Sequence, residues 1–181
     1  MTISLLPTAD DSRTNATFEE LMWALSRPGI VRTLPSNGRA AIAESLLDRE
    51  CSFAVSDDPN LEQALRQTSA RAASLHDADY VFATIDSARK VSELSMLRVG
   101  TLSYPDEAAT LFAPARFGFG ARLWLTGPGI KDSVTIAVDG IDPSFWQVRS
   151  HAIRYPLGWD VYLIDGDRAI GLPRSTKVEM L

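Results

Sequence analysis

Three short stretches of the chain carry the residues best suited to hold an anion. The first is Leu125-Thr126-Gly127-Pro128-Gly129-Ile130-Lys131. Here an apolar run ends in a turn with two glycines, a hydroxyl and then a cation. Small residues let a ligand approach the backbone, and Thr126 and Lys131 offer donors to phosphate-type oxygens. Pro128 has no N–H to add to an amide cradle, so a plain tight turn is the competing account. The second stretch is Tyr155-Pro156-Leu157-Gly158-Trp159-Asp160. It places Asp160 at the start of an apolar run, where a carboxylate serves as an acid/base group, orients an arginine or caps a turn. The third is Leu172-Pro173-Arg174-Ser175-Thr176-Lys177-Val178. Arg174 brings a planar fork for a carboxylate or phosphate, with Thr176 and Lys177 as further donors. A solvated tail accounts for that stretch equally well. The candidates are therefore Thr126, Gly127, Gly129 and Arg174 for ligand binding, and Asp160 and Arg174 for catalysis.

Other chemistries find little support. No GxxxxGK[ST] loop, GxGxxG turn or GxSxG elbow occurs. His76 and His151 lie far apart without clustered cysteines, so no metal site is expected. Cys51 stands between Glu50 and Ser52, which supply no cation to lower a thiol pKa, so it reads as structural.

The elements that must position these residues follow from pattern. The chain has 181 residues, 45% of them hydrophobic and 23% charged, which suits one ordered domain, 1–181. A net charge of -5 without a Lys/Arg block argues against nucleic acid as a partner. One cysteine excludes an intramolecular disulfide and fits a reducing compartment. Residues 1–11 lack a basic then apolar leader, and no apolar run approaches the ~20 residues of a membrane span. A soluble cytoplasmic protein with a flexible segment 1–14 is expected.

Thr17 with Glu20 has capping-box spacing, and Phe18, Leu21, Met22 and Leu25 then form one helical stripe ending at Arg27-Pro28-Gly29. Strands are expected over 30–34, 52–55, 80–85, 109–113, 121–126, 134–138, 159–164 and 169–172. Helices are expected over 39–47, 58–70, 87–97 and 144–151. Asp165-Gly166-Asp167 marks a hairpin. The order points to an α/β domain with a mixed β-sheet flanked by helices.

Four segments in this order resemble the PhnH family. They are Phe18–Gly29 (FEELMWALSRPG), Arg122–Ile130 (RLWLTGPGI), Tyr155–Asp160 (YPLGWD) and Leu172–Glu179 (LPRSTKVE). The departures are Tyr155, Trp159 and Ser175, where the family pattern has Phe, Ile and Thr. The resemblance spans almost the whole chain. It implies a fold like the large domain of pyridoxal-phosphate (PLP)-dependent transferases, a homodimer, and a place beside PhnG, PhnI and PhnJ in carbon–phosphorus lyase. That assembly makes ribose 1-phosphonate 5-triphosphate from ATP and a phosphonate. No PLP is expected, because Lys90, Lys131 and Lys177 are the only lysines and none sits in a recognisable cofactor motif. The competing functions are a free-standing phosphate-ester or nucleotide enzyme, and a non-catalytic scaffold derived from a PLP-enzyme fold.

Overall fold

The computed structural model describes residues 7–36 and 38–181. The first helix, α1 (Ala9–Ser26), begins earlier than the expected Thr17. Thr8 caps it: its hydroxyl accepts from the Asp11 amide at 3.1 Å, and the Asp11 carboxylate accepts from the Thr8 amide at 2.8 Å. Asp10 and Asp11 also favour the positive end of the helix. Thr17 is interior and donates back to the Arg13 carbonyl at 2.9 Å, while Glu20 pairs with Arg32 at 2.6 Å. Residues 9–14, expected to be flexible, are thus the first turns of α1. They are tied to α2 (Arg39–Leu46) by Arg13–Glu44 at 2.8 Å and by Ser45 Oγ donating to the Thr14 carbonyl at 2.7 Å. Residues 1–6 of that expected segment lie outside the described residues.

The main sheet has seven strands. They are β1 (Arg32–Thr33), β2 (Ser52–Ser56), β3 (Arg71–Ala72), β4 (Tyr80–Ala83), β5 (Thr110–Pro114), β8 (Asp160–Asp165) and β9 (Arg168–Leu172). In space the order is β1-β9-β8-β5-β4-β2-β3. The run from β3 to β8 is parallel; β9 turns back antiparallel on β8, and β1 is antiparallel to β9. A parallel run is covered on both faces, and the side chains show this. Val81, Leu111, Val161 and Leu163 enter one core, and Phe53, Phe82, Phe112, Tyr162 and Ile164 the other.

On the second face the register sets an aromatic row. Phe82 pairs with Phe112 and Phe112 with Tyr162, with ring centroids 4.8 and 5.0 Å apart. The next residue across is Gly171. A Cβ there would stand 2.5 Å from the Ala24 carbonyl carbon, so glycine lets α1 lie directly on β9. The Tyr162 hydroxyl donates to the Leu21 carbonyl at 2.9 Å and fixes the helix over the row. This corrects the expected stripe of α1. Thr17, Leu21 and Ala24 face inward, whereas Phe18 and Met22 are 53% and 50% exposed.

α2 and α3 (Pro59–Leu65) share that face with α1. Asp58 caps α3 and Pro59 opens it, but the helix ends at Leu65 and not near Ala70. The expected strand over 30–34 shrinks to β1, leaving Ile30 and Val31 exposed. The opposite face is covered by α4 (Ala88–Glu93), α5 (Ser144–Ala152) and a second sheet. That sheet is β10-β6-β7, with β6 (Arg116–Thr126), β7 (Val134–Asp139) and β10 (Lys177–Met180), all antiparallel. The α/β class with a mixed sheet holds, and β6 and β7 leave it for a sheet of their own. The tail, for which solvation was one reading, is the β10 edge strand.

Candidate functional site

The three stretches singled out by residue type converge at the ends of β6, β8 and β9. The β8–β9 hairpin turns at Asp165-Gly166-Asp167 and sets Val161 opposite Leu172. Its open end therefore brings Asp160 and Arg174 together. Arg174 Nε donates to Asp160 Oδ1 at 3.2 Å, Nη2 to Oδ2 at 2.9 Å, and the Arg174 amide to Oδ1 at 2.7 Å. Arg174 Nη1 donates to the Pro105 carbonyl at 2.5 Å and, more loosely, to that of Pro156 at 3.4 Å. The two side chains are only 16% and 18% exposed. The fork that was a candidate for a ligand is directed at Asp160 and at two backbone carbonyls. Asp160, in turn, orients an arginine.

The glycines of the first stretch are needed for a different closeness. Gly127 has φ +134, and a Cβ on it would meet the Ser175 carbonyl oxygen at 2.8 Å. Gly129 has φ +82, and its Cβ would meet the Ser26 carbonyl oxygen at 2.3 Å. The chain's own backbone, from the end of α1 and from the Pro173–Thr176 turn, occupies the space these glycines leave. Thr126 is half-buried at the end of β6, opposite Lys177. Lys131 is exposed and does not line the cavity between α5 and the Arg174–Glu179 segment.

Beside these turns lies a cavity of about 620 Å³, between α5 and the Arg174–Glu179 segment. Pro128, Tyr155, Arg174, Thr176 and Lys177 all line it, so each of the three stretches contributes. One residue that sequence reasoning missed lines it too: Arg149 of α5, 3% exposed. Arg149 Nη1 donates to the Thr176 carbonyl at 3.1 Å, and Nη2 to those of Pro173 at 2.8 Å and Leu172 at 3.4 Å. Its Nε has no partner among the described residues, nor has the buried hydroxyl of Thr176. Desolvation pushes the guanidinium pKa down to about 10, against a smaller upward pull from Asp160. The group is still a cation at neutral pH. The signal in the sequence was a charge on an apolar helical face: Phe145, Trp146 and Arg149 are the buried positions of α5.

Cys51 is half-buried, and burial raises its thiol pKa, so it is not an activated nucleophile. His76 Nδ1 lies 3.2 Å from the Met96 carbonyl, and His151 is exposed. Lys90 bridges Asp86 at 3.0 Å and Asp57 at 3.4 Å; the Asp86 contact leads in raising its pKa. Among the described residues no three His, Cys, Asp or Glu side chains group as metal ligands.

Comparison with known proteins adds a family to this geometry. A family model described as a bacterial phosphonate metabolism protein, PhnH, matches residues 8–179. The HtxG protein of Stutzerimonas stutzeri, named as a candidate C-P lyase subunit, is 35% identical over 173 residues, covering 93% of this chain and 87% of its own. The alpha-D-ribose 1-methylphosphonate 5-triphosphate synthase subunit PhnH of Rhizobium meliloti (strain 1021) is 27% identical over 177 residues, covering 90% and 88%.

Proposed function

This chain belongs to the PhnH family of bacterial phosphonate metabolism proteins, and on that premise we propose that it is a subunit of a carbon–phosphorus lyase assembly with no turnover of its own. The observation that carries the reading is the end-to-end match to relatives whose own names are those of such subunits. The geometry supports it. Asp160 and Arg174, the candidates for catalysis, hold each other and the backbone in place. Phe18, Met22 and Trp23 leave an apolar face on α1 that suits a protein with partners better than a solitary enzyme.

In this reading the assembly contributes to making ribose 1-phosphonate 5-triphosphate from ATP and a phosphonate. The chain pairs with a second copy and joins PhnG, PhnI and PhnJ in the cytoplasm. No helix among the described residues is long and apolar enough to cross a membrane. The parallel strands covered on both faces suit a fold related to the large domain of PLP-dependent transferases. The chain nevertheless takes no PLP. A Schiff base needs a lysine that gives up its proton, and two aspartates hold Lys90 protonated. Lys131 and Lys177 are exposed.

The test is affinity capture of the tagged chain co-expressed with its genomic neighbours, followed by mass spectrometry. Recovery of PhnG, PhnI and PhnJ is expected. Capture of the chain alone, with ATP turnover by the isolated protein, would overturn the reading.

A further inference from the structure

We infer that the outer face of α1 pairs with the same face of a second copy of this chain, the two helices running antiparallel about a two-fold axis near Met22 and Trp23. The subunit reading supplies only the premise that the chain has partners. The choice of a second copy for this face rests on its side chains and their spacing.

The first observation is where large apolar side chains are left open. Phe18, Met22, Trp23, Ile30 and Val31 are all exposed within one short stretch. The seating of α1 on Gly171 and Tyr162 turns Thr17, Leu21 and Ala24 inward, so Phe18 and Met22 cannot reach the chain's own core. Arg32 reaches back from β1 to Glu20 at 2.6 Å, which sets Ile30 and Val31 beside the same helix. Together the five side chains expose roughly 400 Å² per copy, about half of what each side of a standard interface buries.

The second observation is the charge on that face, and it selects the partner. Glu19 and Arg27 are both exposed, and neither forms an ion pair among the described residues. Glu19, Trp23 and Arg27 follow one another at a spacing of four, so they form one row, with acid and base about 12 Å apart along the axis. The Arg27 guanidinium lies over the Trp23 ring, 5.0 Å from its centre, which holds the cation on this side. Phe18, Met22 and Ser26 form the neighbouring row, and two such ridges fit the grooves of a facing helix. In an antiparallel pair centred on Trp23, Glu19 of each copy meets Arg27 of the other, while Met22 and Trp23 meet at the axis. A parallel pair would set like charges together. A two-fold interface requires a self-complementary surface, with acid and base equidistant from its centre. A partner of different sequence requires no such balance.

Sedimentation equilibrium of the purified full chain, from low to high micromolar concentration, tests this. A dimer is expected. Met22→Ser should raise its dissociation constant about tenfold, because the side chain is buried once in each copy. Glu19→Lys and Arg27→Glu should each do the same, since one reversal creates two like-charged pairs across the axis. Glu19→Lys combined with Arg27→Glu restores both pairs and should return the constant to within about threefold of the parent's. All three positions are exposed, and urea unfolding of each variant confirms that the fold is kept. The double reversal decides the matter even where a single one unfolds. A monomer at every concentration, a dimer that none of these substitutions weakens, or a double reversal no better than the single ones would overturn the inference. Loss of PhnG, PhnI or PhnJ capture in Met22→Ser, with self-association unchanged, would assign the face to another subunit and overturn it too. A monomeric chain that still captures those subunits would sink this proposal alone and leave the assembly reading standing. A dimer with the expected responses that captures none of them would do the reverse.

Discussion

Arg174 and Asp160 form a two-point ion pair across the open end of the β8–β9 hairpin, with Nε donating to Oδ1 at 3.2 Å and Nη2 to Oδ2 at 2.9 Å. The pair also carries backbone: Asp160 accepts from the Arg174 amide, and Arg174 donates to the Pro105 carbonyl. Its role is to hold the turn that builds the cavity wall. Arg174→Lys should therefore destabilise the fold by about 2 kcal/mol, since an ammonium cannot reproduce the fork. A double-mutant cycle of Arg174→Ala with Asp160→Ala, read by urea unfolding, should show coupling of about 1–3 kcal/mol. Coupling near zero would remove the structural role.

Gly129 and Gly118 separate steric crowding from backbone strain. Both have positive φ, +82 and +88. A Cβ at Gly129 would meet Ser26 oxygen at 2.3 Å, whereas one at Gly118 would meet nothing within 4 Å. Gly118→Ala should cost about 1 kcal/mol, the price of the left-handed conformation. Gly129→Ala should cost at least about 3 kcal/mol, because the end of α1 must also move. Equal midpoints in urea would show that the turn is not pressed against α1.

Tyr162→Phe tests the link from the aromatic row to α1. The ring stacking on Phe112 is kept and the hydrogen bond to Leu21 is lost. The expected loss is about 1 kcal/mol. Phe112→Ala, which opens a cavity in the middle of the row, should cost about 3–5 kcal/mol. A larger effect from Tyr162→Phe than from Phe112→Ala would contradict this packing.

Asp79 supplies a pH dependence. Burial pushes its carboxyl up, but hydrogen bonds from the Ser52 hydroxyl and amide and from Arg98 outweigh that and hold it below the ordinary 3.8. For a lowered carboxyl the unfolded chain takes up its proton first. The stabilisation is thus present above about pH 4 and is lost as pH falls through the folded-state value. Asp79→Asn should flatten the fall in stability below pH 4, and should cost about 1 kcal/mol at pH 7, where the partly exposed site screens the charge. Melting temperatures of both proteins from pH 3 to 7 would decide it; parallel curves would rule it out.

Much of the local structure is decided by short-range pattern. The short apolar runs around Val81-Phe82 and Leu111-Phe112 mark β4 and β5, because a strand covered on both faces is apolar on both. Asp165-Gly166-Asp167 marks the hairpin, because its turn needs a residue that accepts positive φ, and Gly166 has φ 64. The three stretches rich in donors are likewise legible from residue type alone, and the family resemblance is carried by those same segments.

Partners distant in the chain are decided only by the tertiary fold. Phe18 and Met22 fit an apolar stripe as well as Leu21 does, yet α1 is turned by the Gly171 contact and the Tyr162 bond so that Thr17 and Ala24 are inside instead. Arg174 reads as an open fork until the β8–β9 register delivers Asp160 to it. Gly127 and Gly129 read as room for a ligand until the Pro173–Thr176 turn and the end of α1 fill that room. Arg149, which sequence reasoning passed over, is buried only because α5 packs it beneath Pro173 and Thr176. Residue type determines which groups can do chemistry. Which of them are already satisfied is set by hydrogen bonds and contacts between segments far apart in sequence, and these exist only once the sheet order and register are formed.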